Sequence, residues 1–513
     1  MLKPAVLRVD AFYVKAFWWT LLLAALIKVA LCFAIPVTGD EAYYAIWGEF
    51  PALGYYDHTP FIGWLLWPFV KLSLNPLVLR LPTIIMTSLI GWGIFAFLKN
   101  YEVRKAALAA IIFLVSPLSL LGVIITTDTP VILFSFLSGL CFLQALKKND
   151  HAGWFVGAGV FLGLAFFSKY FAVLLALAYA LFLLIAAPKP RRVMGLLIMF
   201  LCTLPFGLEN IYWNYHHAWS NILFNVYNRN VGDHAGWHTV LTYLLTLFYI
   251  VTPPLFYYLG KKLKGFKETK PVERYALHFL IATPLLFFLV LSVTKEIGLH
   301  WPLSFITFIY LWAGLSLDLA ELGRTLKFML WFSAVHLLLI AVAVFMPMQA
   351  WQKLPISPKT YVKLVYLFEH APIREHLNQY NKDYVFTSLN YVQADMMYYD
   401  SGLYAPTFGV GSVHGRQDDF ITDFRHYAHR NFLIFYTRPP RPEEYQPYFS
   451  SWSVKQFSYD DAKFYYVLGK DFNYPAYRDR VLKEINDTYW QVPGWLPHRP
   501  SFFCRKYFPE DCH

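Results

Sequence analysis

Apolar runs recur along the first two thirds of this chain and constrain its fold more than any other feature. Between Val14 and Phe345, stretches close to the roughly 20 residues needed to cross a bilayer follow one another, separated by polar turns. Hydrophobic residues make up 57% of the 513 residues and charged residues only 15%, which excludes an ordinary soluble fold. The sequence therefore predicts an α-helical protein that crosses a membrane many times.

Eleven of these runs are predicted to cross the membrane, and one further run is not. Phe61–Leu74 is shorter and contains Pro68 and Lys71, so it is predicted to be interfacial or re-entrant. The first span exceeds the roughly 7 to 15 apolar residues of a signal peptide and is predicted to remain as an anchor with a cytoplasmic N-terminus. The predicted spans are Val14–Ile35, Pro76–Leu98, Ala106–Ile125, Thr129–Leu146, Trp154–Phe167, Phe171–Ala187, Val193–Tyr212, Val240–Leu259, Tyr275–Thr294, Trp301–Leu317 and Phe328–Met346.

Basic residues occur in every second connecting loop, on the side predicted for the N-terminus. This alternation follows the positive-inside rule and accounts for the net charge of +11. Nucleic acid is not an expected partner, because no basic stripe with interleaved aromatic residues lies on a soluble stretch. The basic loops contain Lys99, Arg104 and Lys105; Lys147 and Lys148; Lys189, Arg191 and Arg192; the run Lys261 to Arg274; and Arg324 and Lys327.

The opposite set of loops contains Asp40, Glu41, Asp57 and Asp128. Charges at membrane depth are costly and are usually functional, so their convergence on one face predicts a site there. The two longest of these loops, residues 37–75 and 209–238, are predicted to be periplasmic. The acidic face comprises Thr38–Pro60, Thr126–Pro130, Ser168–Tyr170, Glu209–His238 and Lys295–Trp301.

The composition changes after Met346, where the chain becomes polar and rich in Tyr and Pro. Helical periodicity over Tyr361–Tyr380 and strand-like patterns over Asn431–Tyr436 and Lys463–Leu468 predict a soluble α/β domain. The predicted organisation is thus a transmembrane domain over residues 1–348 and a periplasmic domain over residues 349–513.

Two of the five cysteines lie near the end of the exported domain. Cys504 and Cys512 would be allowed to form a disulfide in that compartment, and the alternative is two free thiols. Cys32, Cys141 and Cys202 lie in predicted spans and are interpreted as packing residues.

Thr38–Pro60, the first loop on the acidic face, carries the densest group of polar residues. Asp40 and Glu41 follow the first span, and Asp57 and His58 close the loop. Each acid also has a structural interpretation: Asp40 and Glu41 suit the first turn of a helix, Asp57 suits a turn before one, and Asp128 suits a helix cap. Their convergence on one face favours a role in chemistry.

Six short segments occur in order: D-E-A-Y-Y, G-Y-Y-D-H-T-P, R-L-P-T, T-T-D-T-P, G-L-A-F-F-S-K-Y and L-H-W-P-L. Together they resemble the bacterial branch of the GT-C glycosyltransferases, related to protein O-mannosyltransferases and the lipid A aminoarabinose transferase. The resemblance covers about the first 320 residues. It implies a GT-C fold with about 11 to 13 transmembrane helices and a soluble α/β domain on the periplasmic side.

The resemblance also implies an activity: transfer of a sugar, with inversion, from an undecaprenyl phosphate donor to an acceptor at the outer surface of the bacterial inner membrane. Asp40 would be the general base, Glu41 would position substrate and Asp128 would support the base. Tyr55, Tyr56 and Asp57 would belong to a loop that contacts substrate. A carboxylate beside a second acid at a partly desolvated boundary has the raised proton affinity that a base needs.

The leaving phosphate of the donor requires cations. Arg80 and Lys169, each near the outer end of a predicted span, are the first candidates, and the alternative for both is contact with lipid headgroups. Lys295 and His300 flank a loop that would close over the donor. His58 is a further candidate, although the aminoarabinose transferases carry Lys-Pro where this sequence has His-Thr-Pro.

The expected partners are a polyprenyl-phosphate sugar, membrane lipids and an envelope glycolipid acceptor such as lipid A. No metal or other cofactor is expected, and the protein is expected to be a monomer. A protein hydroxyl is an alternative acceptor. From another class, a flippase for lipid-linked sugar is also considered, but transporters tend to show internal repeats and charges at the bilayer centre, whereas here the charges lie at one surface.

Overall fold

A computed structural model describes residues 4–227, 236–262 and 271–512, with side chains described from residue 8 onward. The chain in these ranges is mainly helical and has one small sheet. The α-helices are α1 (Pro4–Ala34), α2 (Gly39–Glu49), α3 (Phe61–Leu72), α4 (Pro76–Leu98), α5 (Val103–Val115), α6 (Pro117–Leu120), α7 (Asp128–Lys147), α8 (Ala152–Ser168), α9 (Val173–Leu181), α10 (Pro190–His216), α11 (Ser220–Val226), α12 (Trp237–Val251), α13 (Pro253–Lys262), α14 (Val272–Leu291), α15 (Leu303–Ser316), α16 (Leu319–Phe345), α17 (Met348–Gln352), α18 (Pro358–His376), α19 (Tyr391–Ser401), α20 (Asp418–Ile421), α21 (Tyr474–Tyr477), α22 (Lys483–Tyr489) and α23 (Phe502–Tyr507).

Each of the eleven predicted spans coincides with a helix or with a bent pair of helices, and the chain is a multi-pass membrane protein. Six helices of the described chain are long and apolar enough to cross a bilayer: α1, α4, α7, α10, α14 and α16. Two further pairs qualify if each bent pair is one span: α5 with the helical segment after Pro117, bent by 59°, and α12 with α13, bent by 99°. The remaining candidates, α8, the segment Tyr170–Ala186 and α15, are shorter, so a count of eleven crossings stays a prediction.

The structure divides into two compact units. The first consists of the described residues in 4–34, 80–209 and 236–341, and the second of those in 35–79, 210–227 and 342–512. In the first unit α7 packs along α8, α1 along α5, and α15 against α5, α7 and α14. Small residues allow this close packing: a Cβ at Gly139 would lie 2.2 Å from a ring carbon of Phe308.

The second unit contains α2, α3, α11 and α17–α23 together with a four-stranded sheet. The strands are β1 (Val385–Ser388), β2 (Phe432–Tyr436), β3 (Phe449–Tyr459) and β4 (Ala462–Phe472), in the order β1-β2-β4-β3. β1 runs parallel to β2, while β4 runs antiparallel to both β2 and β3. A C-terminal α/β domain is therefore present.

Strand β2 is buried on both faces because its residues alternate between two apolar cores. Phe432, Ile434 and Tyr436 belong to one core, and Leu433 and Phe435 belong to the other. This arrangement explains why the sequence pattern predicted β2 and β4, whose apolar runs are strong. It predicted neither β1, which has four residues, nor β3, which is largely exposed and carries a weak apolar signal.

The loop over residues 37–75 belongs to the same compact unit as the C-terminal domain. Tyr56 is fully buried and shares an apolar core with Phe224 and Trp490, whose rings lie 5.5 and 5.6 Å from its own. The compact units therefore do not coincide with the predicted division between residues 348 and 349. The reason is that aromatic side chains of the loop complete the core of the domain.

Candidate active site

The acidic pair predicted from the sequence opens helix α2 in the second unit. Thr38 is the N-cap, and its hydroxyl accepts a hydrogen bond from the Glu41 amide at 3.3 Å. Oε2 of Glu41 in turn accepts from the Thr38 amide at 3.0 Å, which completes a capping box. The structural interpretation, a helix cap, therefore applies to Glu41, which is buried. Asp40 is not part of the capping box, so the chemical interpretation can apply to it.

Asp40 presents an open carboxylate in the first turn of α2. Its side chain is solvent-exposed and forms no hydrogen bond with other described residues. Desolvation by the surrounding protein raises the pKa of this carboxyl, His58 opposes that effect, and Asp57 and Glu41 add to it. The result is an accessible acid with an increased affinity for a proton.

The residues from Ala52 to Pro60 form a rigid turn beside α2. The Tyr55 ring stacks on Trp47 with 4.2 Å between centroids, and its hydroxyl donates to the Trp47 carbonyl at 3.0 Å. The Tyr55 amide donates to the His58 carbonyl at 3.0 Å. Tyr55 and Tyr56 are both fully buried, so the predicted contact of their side chains with substrate stays a prediction.

Asp57 and His58 lie side by side at the end of this turn. Oδ2 of Asp57 is 3.4 Å from Nδ1 of His58, and Oδ1 is 3.5 Å from the Tyr43 hydroxyl. The His58 side chain is 19% exposed and the Asp57 side chain 7%, so the imidazole reaches solvent while the acid is enclosed. Both side chains are close enough to Asp40 to act electrostatically on its carboxyl group.

In the first unit, Asp128 and Lys169 form an ion pair. The Lys169 ammonium donates to Oδ1 of Asp128 at 2.7 Å, and the two side chains are only 10% and 13% exposed. Asp128 is the first residue of α7, yet Thr127 at the N-cap makes no side-chain cap bond. The sequence named both residues, but it did not predict that each would be the other's partner.

Lys169, Lys295 and His300 are gathered around one pair of aromatic rings in the first unit. The rings of Phe171 and Trp301 lie 4.7 Å apart. The Lys169 ammonium is 5.8 Å from the Phe171 ring, and the Lys295 ammonium is 4.9 Å from the Trp301 ring. The His300 ring lies 6.4 Å from that of Trp301. Three of the predicted phosphate-binding residues thus share one neighbourhood.

Arg80 is fully buried in the first unit. Its guanidinium donates to the Cys32 carbonyl at 2.9 Å, in the last turn of α1. Cations near helix C-termini satisfy such carbonyls and complement the helix dipole. This burial excludes the alternative of contact with lipid headgroups, and a role in phosphate binding stays a prediction.

Known proteins resemble this chain in part of its sequence and in its fold. The family model described as dolichyl-phosphate-mannose-protein mannosyltransferase matches residues 57–213. The fold matches ArnT from Cupriavidus metallidurans, with a TM-score of 0.60 and 14% identity over 90% of this chain and 98% of that one. The structure of ArnT bound to undecaprenyl phosphate matches with a TM-score of 0.61 and 15% identity, over 88% and 97% of the two chains.

The chain has the fold of ArnT. Residues 57–213 are similar to the mannosyltransferase family. A curated relative, the lipid A galacturonosyltransferase RgtD from Rhizobium johnstonii, is 23% identical over 235 residues, which is 42% of this chain. The match spans about half of that relative, 47% of its length.

Several contacts around the turn come from residues that the sequence did not indicate. Gln417 accepts from the Tyr56 amide at 2.8 Å. Asn221 donates to the Tyr55 carbonyl at 2.8 Å, and Asn225 donates to the Asp57 carbonyl at 2.9 Å. The sequence offered one signal, the unusual run of Asn residues after Trp219, and none for Gln417.

Asp395 is a further acid that sequence reasoning missed. It lies on α19, which packs along α2: the Tyr391 ring is 5.2 Å from that of Tyr43, and the Tyr398 hydroxyl donates to Glu49 at 3.3 Å. Oδ2 of Asp395 has no hydrogen-bond partner among the described residues. Burial raises the pKa of Asp395 well above its ordinary value, and Asp418 and then Asp40 add to the effect.

Cys504 and Cys512 form a disulfide, with 5.7 Å between their Cα atoms. Cys32, Cys141 and Cys202 are not part of a disulfide bond. Within the described ranges no group of three or more His, Cys, Asp or Glu side chains is placed to hold a metal ion.

Replacing Gly63 with Ala should destabilise the protein by about 1–3 kcal/mol, the usual effect of overpacking. A Cβ at this position of α3 would lie 1.8 Å from the Tyr55 hydroxyl, which is fixed by its stack on Trp47. Thermal unfolding of the purified protein measures the change. Gly323→Ala in α16 is the control, since nothing lies within 4 Å of its Cβ. Equal unfolding midpoints for the two variants would contradict the expectation.

Proposed function

We propose that this protein is an inverting glycosyltransferase that moves a sugar from undecaprenyl phosphate to an envelope glycolipid such as lipid A. The observation that carries the proposal is the exposed carboxylate of Asp40, with its raised pKa, beside Asp57 and His58. Two relatives support the donor and the acceptor: ArnT was solved with undecaprenyl phosphate, and RgtD is a lipid A galacturonosyltransferase.

The proposed step uses Asp40 as general base. The acceptor hydroxyl gives its proton to the Asp40 carboxylate while its oxygen forms a bond to the anomeric carbon of the sugar. The bond from that carbon to the phosphate oxygen breaks, and its electron pair leaves with undecaprenyl phosphate. Attack on the face opposite the phosphate inverts the configuration. General bases placed in this way contribute about 10²- to 10⁴-fold to the rate.

The cations of the first unit are proposed to stabilise the leaving phosphate. Lys295 and His300 are candidates because both lie beside the Trp301 ring, which packs on Phe171 next to the Lys169–Asp128 ion pair. Fixed cations stabilise charge that develops on a leaving group without reorganisation of solvent. Arg80 is proposed to support this region through α1.

The proposed location is the bacterial inner membrane, with the site and the C-terminal domain on the periplasmic side. The alternation of basic loops supports this orientation, and the Cys504–Cys512 disulfide suits an oxidising compartment. We propose that the reaction needs no metal, as the resemblance implies, and that the protein acts as a monomer. Activity that is lost with a chelator and restored by a divalent metal would contradict the first statement.

A protein acceptor is the second candidate. The matched family is described as a protein mannosyltransferase, and the match covers residues 57–213, which include Asp57, His58 and Asp128. A hydroxyl of Ser or Thr would then take the place of the glycolipid hydroxyl. The chemistry at Asp40 would be the same, so only the acceptor distinguishes the two candidates.

Reconstituted transfer tests the proposal. The purified full-length protein is incubated with undecaprenyl phosphate carrying galacturonic acid, aminoarabinose or mannose, and with lipid A or a Ser/Thr-rich peptide. Mass spectrometry should show one acceptor heavier by one sugar, and NMR should show an inverted anomeric configuration. Passage of the donor across a vesicle membrane without a new glycosidic bond would instead support a flippase.

The rate of transfer should fall as the pH is lowered, at a pH above the roughly 3.9 of an ordinary Asp. The pKa of Asp40 is raised, so its carboxyl takes up a proton earlier on acidification and can no longer act as a base. The pH profile of kcat/KM measures this limb. The residual activity of Asp40→Asn is the control, since titration of the acceptor's own phosphates would persist in that variant. If kcat/KM fell at the same pH in wild type and in Asp40→Asn, the assignment of Asp40 as the general base would be contradicted.

A further inference from the structure

A separate cavity of about 450 Å³ lies in the first unit, where α7 ends and where α8 and α10 begin. Its polar wall includes Lys148, His151 and Arg191, and its apolar wall includes Phe155, Met194 and Ile198. This volume falls within the range of small-ligand sites, about 300–1,000 Å³. None of these residues belongs to the proposed transfer chemistry.

The polar wall carries a net positive charge. Asp150 also lines the cavity, but it is paired with Arg192 at 2.9 Å, and both side chains are more than nine-tenths buried. Among the described residues neither Lys148 nor Arg191 forms an ion pair, and both are exposed. Two cations therefore remain available to an anion.

His151 adds a hydrogen-bond donor to this wall. Its Nδ1 accepts from the Gly153 amide at 3.2 Å, at the N-cap of α8. A neutral imidazole that accepts through Nδ1 carries its hydrogen on Nε2, so the ring offers a donor without being charged.

A sharp backbone turn and a close approach of two helices form this cavity. Asn149 and Asp150 adopt left-handed conformations, with φ of 54° and 60°, which turn the chain sharply from α7 into α8. A Cβ added at Gly195 of α10 would lie 2.4 Å from a ring carbon of Phe155 on α8. The two helices therefore approach each other closely at the apolar wall.

The cavity lies at the ends of α7 and α10, which are both long and apolar enough to span a bilayer. The cations lie at the helix ends, and the apolar wall follows further along α8 and α10. A phospholipid has the matching arrangement, because its phosphate is at the membrane surface and its acyl chains extend into the bilayer. Basic pockets of this kind between transmembrane helices bind anionic lipid headgroups. We propose that this cavity binds the phosphate of an anionic phospholipid from the leaflet on the side of the basic loops.

Lipid retention by the full-length protein tests the proposal. The protein is purified from mixed vesicles of phosphatidylglycerol and phosphatidylcholine, and native mass spectrometry counts the lipids that remain bound. Wild type should retain phosphatidylglycerol in preference to phosphatidylcholine. Lys148→Ala/Arg191→Ala should weaken this retention about 25-fold, because each Lys or Arg near an anionic lipid contributes a factor of about five.

The matched control is Lys99→Ala/Lys327→Ala, which removes two exposed cations from other basic loops of the predicted side. It should retain phosphatidylglycerol as wild type does. Equal loss in both double variants would show a general effect of surface charge and would overturn the proposal, as would equal retention of the two lipids by wild type. In a third arm inorganic phosphate is added: displacement of the lipid at micromolar phosphate would overturn the lipid assignment in favour of a soluble phosphate site.

Discussion

Asp40→Asn should lower the rate of sugar transfer by about 10²- to 10⁴-fold while the fold remains intact. The amide has the shape of the carboxyl but cannot take the proton of the acceptor. Because the side chain is exposed and forms no hydrogen bond with other described residues, its replacement leaves no partner unsatisfied. Turnover in the reconstituted reaction measures the effect, and thermal unfolding verifies the fold.

Glu49→Gln is the matched control for this variant, because it removes another acid from the same helix α2. Glu49 pairs with Lys71 at 2.6 Å and accepts from Tyr398 at 3.3 Å. A largely exposed pair of this kind contributes about 0–1 kcal/mol, so turnover should stay close to that of wild type. Wild-type turnover by Asp40→Asn, with Glu49→Gln unchanged, would rule Asp40 out as the base.

Asp128→Asn should destabilise the protein by about 3 kcal/mol and also impair transfer. The variant leaves the Lys169 ammonium, only 10% exposed, without the carboxylate 2.7 Å away that balances its charge. Removing one partner of a buried ion pair typically costs about 3–5 kcal/mol, since the remaining charge stays desolvated. The free energy of unfolding and the kcat and KM for the donor measure the two effects.

The double variant Asp128→Asn/Lys169→Met separates stability from catalysis. It removes both charges, so much of the stability should return, but transfer should stay low if the ion pair orients the donor site. Glu321→Gln is the control: it breaks the pair with Lys262 at 2.7 Å, with Glu321 7% exposed, and should lower stability without changing the KM for the donor. Recovery of transfer together with stability would show that the pair is purely structural.

The amino-acid sequence by itself determined the features that depend on neighbouring residues. Apolar runs gave the positions of the membrane helices, since a bilayer requires a continuous apolar length. Asp40 and Glu41 suited the first turn of a helix, and the structure shows that turn with a capping box between Thr38 and Glu41. The strong apolar run of β2 predicted a buried strand, and both of its faces are covered.

Only the tertiary structure decided which partner each polar side chain takes. Lys169 meets Asp128 across 41 residues, Gln417 reaches the Tyr56 amide across 361, and Arg80 is buried against α1 rather than exposed to lipid. A local pattern shows that a charge exists and predicts on which side of the membrane it lies, but not what balances it. That choice depends on how distant segments pack, because a buried polar group is stable only where packing brings it a partner.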